Sequence, residues 1–359
     1  MFVYSIRQEM KRERNSGLSS PVRFLYSKKV MLILRRTGWV LLGLFILLNI
    51  IVAFQASRFT YFYDNPEKTP AKKAEDYTTG EKLNAAFFGM KLKKSVVSEH
   101  PSVPYETVRL TNEYNQKLEG WYIPAENSRG TVILCHGHAS NKSKILCETE
   151  YFHELGYNTL SFDFRAHGNS AGNICTIGFR ETNDLKAAYN FVEKGNEKNI
   201  ILWGVSMGAA VILKAIPEHG LKPTQVILEC PFASLYDAVQ GRLRSMHIPA
   251  HPIAELLTLW GSMERSMSAF SFRPSVYAKQ LTMPVLLNWG AKDPRVLRHE
   301  TDAIFENLAN SRKKLVVFEN SAHQSYCVNE KSKWQAAISG FLQVSPKPEG
   351  KPVAARSTP

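Results

Sequence analysis

Cysteine is scarce in this sequence, with five residues among 359, and no two are spaced as in zinc knuckles or thioredoxin-type sites. So few cysteines exclude a disulfide-dense scaffold, and their odd number leaves at least one thiol free or paired outside the chain. Acidic residues are also in the minority, because 45 Lys and Arg oppose 32 Asp and Glu for a net charge of +13. Such an excess suggests a nucleic-acid-binding protein, so the position of the charge along the chain is decisive.

The basic excess is concentrated in residues 1–37, where nine Lys and Arg face only Glu9 and Glu13. An uncharged stretch follows at 38–56, long enough for a helix to cross a hydrocarbon core of roughly 30 Å. A buried core helix should show a polar stripe, which this stretch lacks, and a cleaved signal peptide would have a shorter basic lead and a small-residue cleavage pattern. We therefore predict a single-pass signal anchor whose N-terminus is cytoplasmic and whose following domain is extracytoplasmic.

The rest of the chain divides by composition into three segments. Residues 57–81 are rich in Lys, Glu, Thr and Pro and are interpreted as a linker. Residues 82–344 form the predicted folded domain, and the proline-punctuated segment 345–359 is predicted to be a disordered tail. The folded domain has no basic, aromatic-interleaved element, which argues against nucleic-acid binding.

Within the folded domain, short apolar runs alternate with stretches of helical periodicity. Two alternating segments, 107–111 and 118–123, predict a β-hairpin, and the later continuous apolar runs predict strands buried on both faces. The fold class is therefore α/β, with a mostly parallel sheet covered by helices on both faces. The interval 237–272 has no strand signal and is interpreted as a helical cap over the carboxyl ends of the strands, where functional groups gather.

The strand predicted at 199–203 runs into Gly204-Val-Ser206-Met-Gly208 and then into an alanine-rich helix. This is a G-x-S-x-G nucleophile elbow in the strand–turn–helix context that the motif requires. Side chains at Gly204 or Gly208 would collide with neighbouring backbone, while the sharp turn lifts Ser206 towards a substrate. We predict that Ser206 is a nucleophile.

A serine hydroxyl needs a base, and the base needs an orienting carboxylate. Asp293 follows a predicted strand in Gly-Ala-Lys-Asp-Pro, and His323 follows the last predicted strand. We predict that Asp293 is the orienting acid and His323 the base. The oxyanion would be bound by the backbone N–H groups of His138 and Met207. His136 is interpreted as a structural hydrogen-bonding residue.

These motifs together resemble the α/β-hydrolase superfamily over roughly residues 105–342. Phe162-Asp-Phe-Arg-Ala-His-Gly-Asn-Ser170 is similar to the family's structural D-x-R-G-x-G-x-S loop, with Ala166 in place of a glycine. The membrane-anchored branch similar to prolyl oligopeptidases and serine aminopeptidases is the nearest match. The resemblance implies an α/β-hydrolase fold, esterase or peptidase chemistry and the order Ser206, Asp293, His323.

The predicted function is therefore a serine hydrolase that cleaves an ester, thioester or amide through an acyl-enzyme. It requires no metal and no cofactor, and its partners are a small ester, acyl-lipid or peptide substrate and a membrane. The alternatives are an acyltransferase that uses the same three residues and a non-catalytic binding protein of the same fold. Arg242 and Arg244 could meet an anionic substrate or be solvated.

The apolar residues of the cap interval have two interpretations. They could receive an acyl or lipid-like group near the bilayer, or they could form the core of the cap itself, and we favour the second. The residues in question are Met246, Trp260, Met263, Met267, Phe270 and Phe272.

Overall fold

Helix α1, Lys28–Thr60, opens the part of the chain that the computed structural model describes, residues 28–69 and 78–343. Its segment Val30–Thr60 is long and apolar enough to cross a membrane, with a mean hydropathy of 2.4 and 6% burial by protein in its most apolar part. The helix is longer than the predicted span of 38–56 because no proline or turn signal interrupts its sequence on either side. The chain divides into two compact units whose boundary falls between Ile51 and Val52.

The predicted linker at 57–81 is partly structured. After α1 ends, β1, Phe62–Tyr63, pairs in parallel with β2, Leu92–Lys93, and α2 occupies Thr79–Phe88. Phe62 is fully buried, so this short strand is anchored by hydrophobic packing, although it lies inside the segment interpreted as a linker. Residues 70–77 of this segment, the basic segment before Lys28 and the predicted tail lie outside the described residues.

An eight-stranded sheet forms the centre of the second unit, in the order β10-β9-β8-β7-β5-β6-β4-β3. The first two of these strands in the chain form the predicted antiparallel hairpin, β4 also pairs antiparallel with β6, and every other pair is parallel. The mostly parallel sheet is therefore confirmed. The strands are β3 Glu106–Thr111, β4 Lys117–Ile123, β5 Thr131–Cys135, β6 Asn158–Phe162, β7 Ile200–Val205, β8 Gln225–Glu229, β9 Val285–Gly290 and β10 Lys313–Phe318.

Helices cover both faces of the sheet. Ile133 and Cys135 of β5 point into one hydrophobic cluster, while Val132 and Leu134 point into another, as expected for a strand buried on both faces. The helices are α3 Leu146–Glu154, α4 Thr182–Lys194, α5 Met207–His219, α6 Leu235–Ser245, α7 Ile253–Arg265, α8 Pro274–Tyr277, α9 Arg298–Asn307, α10 Tyr326–Asn329 and α11 Lys331–Leu342.

The predicted cap interval contains α6, α7 and a short 3₁₀ turn, Ala269–Ser271, inserted between β8 and β9. A third hydrophobic cluster lies beneath it and includes Phe272, which is fully buried, and Met267, which is 9% exposed. Met246, Met263 and Phe270 are instead 45%, 61% and 48% exposed. The favoured interpretation of these side chains as one cap core is therefore correct for only part of the set, because α6 and α7 are too few to enclose all of them.

One disulfide joins Cys147 of α3 to Cys327 of α10, with their Cα atoms 6.1 Å apart. The thiols of Cys135, Cys175 and Cys230 are free and buried. The disulfide connects the start of α3 with the segment that directly follows the loop carrying His323. It therefore holds that loop against the sheet from a point 180 residues away in sequence.

Candidate active site

Ser206 lies at the junction of β7 and α5 with φ 53° and ψ −113°, a strained conformation for a residue with a side chain. Its N–H donates to the carbonyl of Glu229 at 2.8 Å, which holds the turn against β8. A Cβ on Gly208 would lie 2.1 Å from the Cys135 oxygen, and one on Gly204 would lie 2.7 Å from the Gly208 carbonyl carbon. These close approaches explain why both positions must lack a side chain if the turn is to form.

Ser206, His323 and Asp293 lie in one chain of hydrogen bonds. The Ser206 hydroxyl donates to His323 Nε2 at 2.9 Å, and His323 Nδ1 donates to Asp293 Oδ2 at 2.7 Å. Asp293 Oδ1 accepts from the backbone N–H groups of Arg295 at 2.7 Å and Val296 at 3.0 Å, so the carboxylate is held in one orientation. The Asp293 side chain is fully buried and that of His323 is 13% exposed, which leaves only the imidazole edge open to a substrate.

The environment of His323 favours its charged form. Burial alone would lower the pKa of His323, but Cys230 and the hydrogen-bonded Asp293 carboxylate outweigh burial and raise it above its usual range. In its neutral form an imidazole with a raised pKa is a stronger proton acceptor for the Ser206 hydroxyl, and the same surroundings stabilise the imidazolium that such a transfer would produce.

Cys230 belongs to no motif and was not selected as a site residue by sequence reasoning. It directly follows β8, has a positive φ of 38°, and its Sγ lies with ligand atoms of Asp293 and His323 in a group whose members are all within 4.8 Å of one another. One sulfur, one nitrogen and one oxygen at such distances could hold a thiophilic metal ion.

The two predicted oxyanion-binding residues flank Ser206. Met207 is the first residue of α5, so its N–H has no acceptor within the helix and lies at the positive end of the helix dipole. Gly137 precedes His138 and is so close to Ser206 that a Cβ on it would be 3.6 Å from the Ser206 Cβ. The loop that carries His138 is thus adjacent to the serine.

Other polar residues near the strand ends hold the loops in place. His136 is fully buried. Its Nδ1 donates to the Gly137 carbonyl at 2.7 Å, and its Nε2 accepts from the Phe164 N–H at 3.1 Å. Burial lowers the pKa of His136 to about 4, so it stays neutral. In the loop that resembles D-x-R-G-x-G-x-S, Asp163 pairs with Lys142 at 2.5 Å.

Phe59, from the last turn of α1, stacks on the imidazole of His138 with ring centroids 5.9 Å apart. Arg242 of α6 also contacts Phe59, with its guanidinium carbon over the ring and 5.6 Å from the ring centre. The Arg242 Nε is buried and finds no acceptor among the described residues, whereas Arg244 donates to the carbonyls of Pro294 and Arg295. Sequence reasoning missed Phe59 because its polar surroundings resemble a linker.

Comparison with known proteins agrees with this architecture. A family model described as serine aminopeptidase, S33, matches residues 126–277. The uncharacterized protein YfhR of Salmonella typhimurium is 31% identical over 260 residues, which cover 67% of this chain and 82% of that protein. The uncharacterized membrane protein YNL320W of Saccharomyces cerevisiae is 24% identical over 233 residues, or 64% of this chain and 76% of the relative.

Among solved structures, the esterase Pf2001 of Pyrococcus furiosus is 26% identical with a TM-score of 0.59, covering 70% of this chain and 97% of that one. The similarity therefore covers most of both chains rather than a single motif. An anchor in the membrane is consistent with the apolar α1 and with the name of the yeast relative. By fold and by descent, the chain belongs to the α/β-hydrolase superfamily of enzymes.

Proposed function

We propose that this protein is a serine hydrolase of carboxylesterase or lipase-like type, with peptidase activity as the second possibility within the same chemistry. The observation that supports it is the continuous hydrogen-bonded series from Ser206 through His323 to Asp293. Each member has the partner that its role requires: the nucleophile contacts the base, and the base contacts a carboxylate fixed by two backbone donors.

The proposed reaction has two halves. Ser206 Oγ attacks the carbonyl carbon while His323 Nε2 takes its proton, and the oxyanion accepts hydrogen bonds from the His138 and Met207 N–H groups. The bond to the leaving group then breaks, and the proton passes from His323 to that group. Water attacks the acyl-enzyme, gives its proton to His323, and the carboxylic acid leaves as the proton returns to Ser206.

An ester substrate is favoured over a peptide by the similarity to the Pyrococcus furiosus esterase, whereas the matching family model is described as serine aminopeptidase. The two are separated by comparing turnover of p-nitrophenyl butyrate with that of aminoacyl p-nitroanilides. Faster turnover of the anilides would make the peptidase the correct assignment.

The proposed nucleophile and base are tested by fluorophosphonate labelling and by turnover of a short p-nitrophenyl ester. Ser206→Ala should abolish labelling and lower kcat/KM by roughly 10⁴-fold or more, and His323→Ala should have a comparable effect on kcat/KM. Ser245→Ala, which replaces a half-buried serine at the end of α6 whose hydroxyl donates to the Arg242 carbonyl of its own helix, is a matched control that should retain both signals. Labelling of Ser206→Ala at the wild-type level would refute the proposal.

We also propose that α1 is a single-pass anchor with a cytoplasmic N-terminus and an extracytoplasmic catalytic domain. The nine basic residues in 1–37 support this orientation, and so does the Cys147–Cys327 disulfide, since disulfides persist in oxidising compartments. A C-terminal alkaline phosphatase fusion should be active and a C-terminal green fluorescent protein fusion dark. The opposite pair of signals would overturn the orientation.

A further inference from the structure

Helix α7 of the cap has its apolar side turned outward. Its buried residues, Ala254, Thr258 and Gly261, are small and recur at helical spacing on one face. The opposite face carries four large apolar residues, Leu256, Leu259, Trp260 and Met263. Leu259 is 44% exposed and Met263 is 61% exposed, which reverses the usual arrangement of a surface helix.

A second exposed apolar group ends α2. Phe87 and Phe88 are 49% and 55% exposed, and the Phe88 ring makes an edge contact with Phe54 of α1 at 6.2 Å between centroids. Phe54 is itself 47% exposed, so this group continues directly onto the apolar surface of α1.

Both groups lie beside the C-terminal turns of α1. From α7, Arg265 donates to Thr60 Oγ1 at 2.6 Å and to the Ser57 carbonyl at 3.2 Å. From the other side, Arg58 donates to the Phe88 carbonyl at 3.4 Å. Two arginines thus attach the two apolar groups to one end of the candidate membrane span.

The length of α1 sets the level of this end relative to a bilayer. The 31 residues of Val30–Thr60 would extend about 46 Å as a helix, longer than a hydrocarbon core of about 30 Å and close to the full thickness with headgroups. The last turn, with Ser57 and Thr60, therefore falls at headgroup level. Aromatic and aliphatic side chains flanked by arginine are the chemistry of that interface.

We propose that the outward face of α7 and the Phe87–Phe88 group rest on the outer leaflet, and that the active site takes long-chain acyl esters from the bilayer. The second part depends on the proposed hydrolase function. Phe59 links the two parts, because it lies one residue before Thr60 and stacks on His138 of the predicted oxyanion loop. An acyl chain that leaves the membrane beside α1 would first meet Phe59, whose ring contacts His138 in the loop next to Ser206.

The experiment uses the full chain reconstituted in phosphatidylcholine vesicles. The Leu259→Gln/Met263→Gln double variant should hydrolyse soluble p-nitrophenyl butyrate within about twofold of wild type. It should lose tenfold or more in rate on a vesicle-embedded p-nitrophenyl palmitate, since two apolar side chains no longer enter the interface. Val328→Gln, at a position 73% exposed on α10, is the matched control and should behave as wild type on both substrates.

Equal activity of the double variant and wild type on the embedded ester would overturn the proposal, and so would an equal loss on both esters.

Spin labels at Met263→Cys and at Val328→Cys test docking without catalysis. The label should attach only to the introduced cysteine, because the three free thiols of the protein are buried. The label at 263 should be accessible to oxygen and protected from aqueous nickel, and the label at 328 should show the reverse. Dipolar broadening at 263 that disappears on dilution with unlabelled protein would identify a second copy as the occupant and overturn bilayer docking. If wild type hydrolyses neither ester while the labels report docking, the proposed hydrolase function fails and the docking surface stands.

Discussion

Single side chains around Ser206 differ in whether they can take part in chemistry or only hold the site together. Among the buried histidines near the serine, His136 and His138 have a lowered pKa, and burial is the main cause for each. His323 is the exception, because Cys230 and the Asp293 carboxylate raise its pKa despite burial. The contrast supports the proposal that His323 is the base on physical grounds, independently of its position in the chain.

The pH dependence of kcat/KM should report the pKa of His323. Because only neutral His323 can accept the Ser206 proton, kcat/KM falls on the acid side of its pKa. Cys230 and Asp293 both raise this pKa, and Asp293→Asn removes the contribution of the carboxylate, so the acid limb should move to lower pH while kcat falls by roughly 10⁴-fold. Asp302→Asn, a nearby exposed acid paired with Arg298, is the control and should leave the limb unchanged. An unshifted limb in Asp293→Asn would show that Asp293 does not face the base.

Glu229 is a buried carboxyl with an unusual set of neighbours. Its Oε1 accepts from the indole N–H groups of Trp203 at 3.1 Å and Trp334 at 2.5 Å and from the Asn288 amide at 3.2 Å. Burial is the main cause that raises the pKa of Glu229, from 4.5 to about 8. The folded protein therefore holds a proton here at neutral pH that the unfolded chain has released.

The raised pKa of Glu229 makes the stability of the folded protein depend on pH. Between pH 4.5 and pH 8 the folded state binds more protons at Glu229 than the unfolded state, so stability falls as pH rises through this window. Glu229→Gln cannot lose a proton, and its free energy of unfolding relative to wild type should rise by up to about 1.4 kcal/mol per pH unit. Urea denaturation at pH 5, 6.5 and 8 measures this, with the exposed Glu193→Gln as control. A constant difference between Glu229→Gln and wild type would contradict the raised pKa.

At the scale of elements, the serine turn depends on how closely β7, α5 and the end of β5 approach one another. The oxygen of Cys135, the last residue of β5, occupies the place where a side chain at 208 would project. This contact aligns the start of α5 with the loop that carries His138, so the positions of Ser206 and of the proposed oxyanion donors are coupled.

Gly208→Ala should therefore disturb more than one element. The new Cβ would meet the Cys135 backbone at 2.1 Å, which is relieved only by moving a strand or the helix. We expect a loss of about 1–3 kcal/mol of stability or more, together with loss of fluorophosphonate labelling. Gly261→Ala on α7 has no atom within 4 Å of the new Cβ and should be neutral or slightly stabilising. Equal stability of the two variants in thermal denaturation would contradict the crowded turn.

At the scale of the whole molecule, the Cys147–Cys327 disulfide joins two segments that are 180 residues apart in sequence. A closed loop of 180 residues restricts the unfolded chain strongly, and its removal should cost on the order of 2–5 kcal/mol. The Cys147→Ser/Cys327→Ser variant should unfold at lower urea than wild type, and dithiothreitol should lower the midpoint of wild type alone. A wild-type midpoint that does not respond to reductant would show that the two sulfurs are not joined in the isolated protein.

The sequence and the structure agree where local signals are strong. Short continuous apolar runs, separated by stretches of helical periodicity, predicted the mostly parallel sheet. Gly204 and Gly208 predicted the serine turn because the geometry of such a turn excludes side chains. Phe59 and Cys230 had no comparable signal. Phe59 becomes part of the site only through its contact with His138, and Cys230 only because β8 ends beside His323.

The sequence by itself determined the features that follow from periodicity and from local steric demands: the apolar span of α1, the alternation of strands and helices, and the order of Ser206, Asp293 and His323. Only the tertiary structure decided which residues meet across long separations. The pairing of Cys147 with Cys327, the outward apolar face of α7 and its attachment to α1 through Arg265 are examples. The physical reason is that burial and contact depend on the packing of distant segments, which no local pattern of residues encodes.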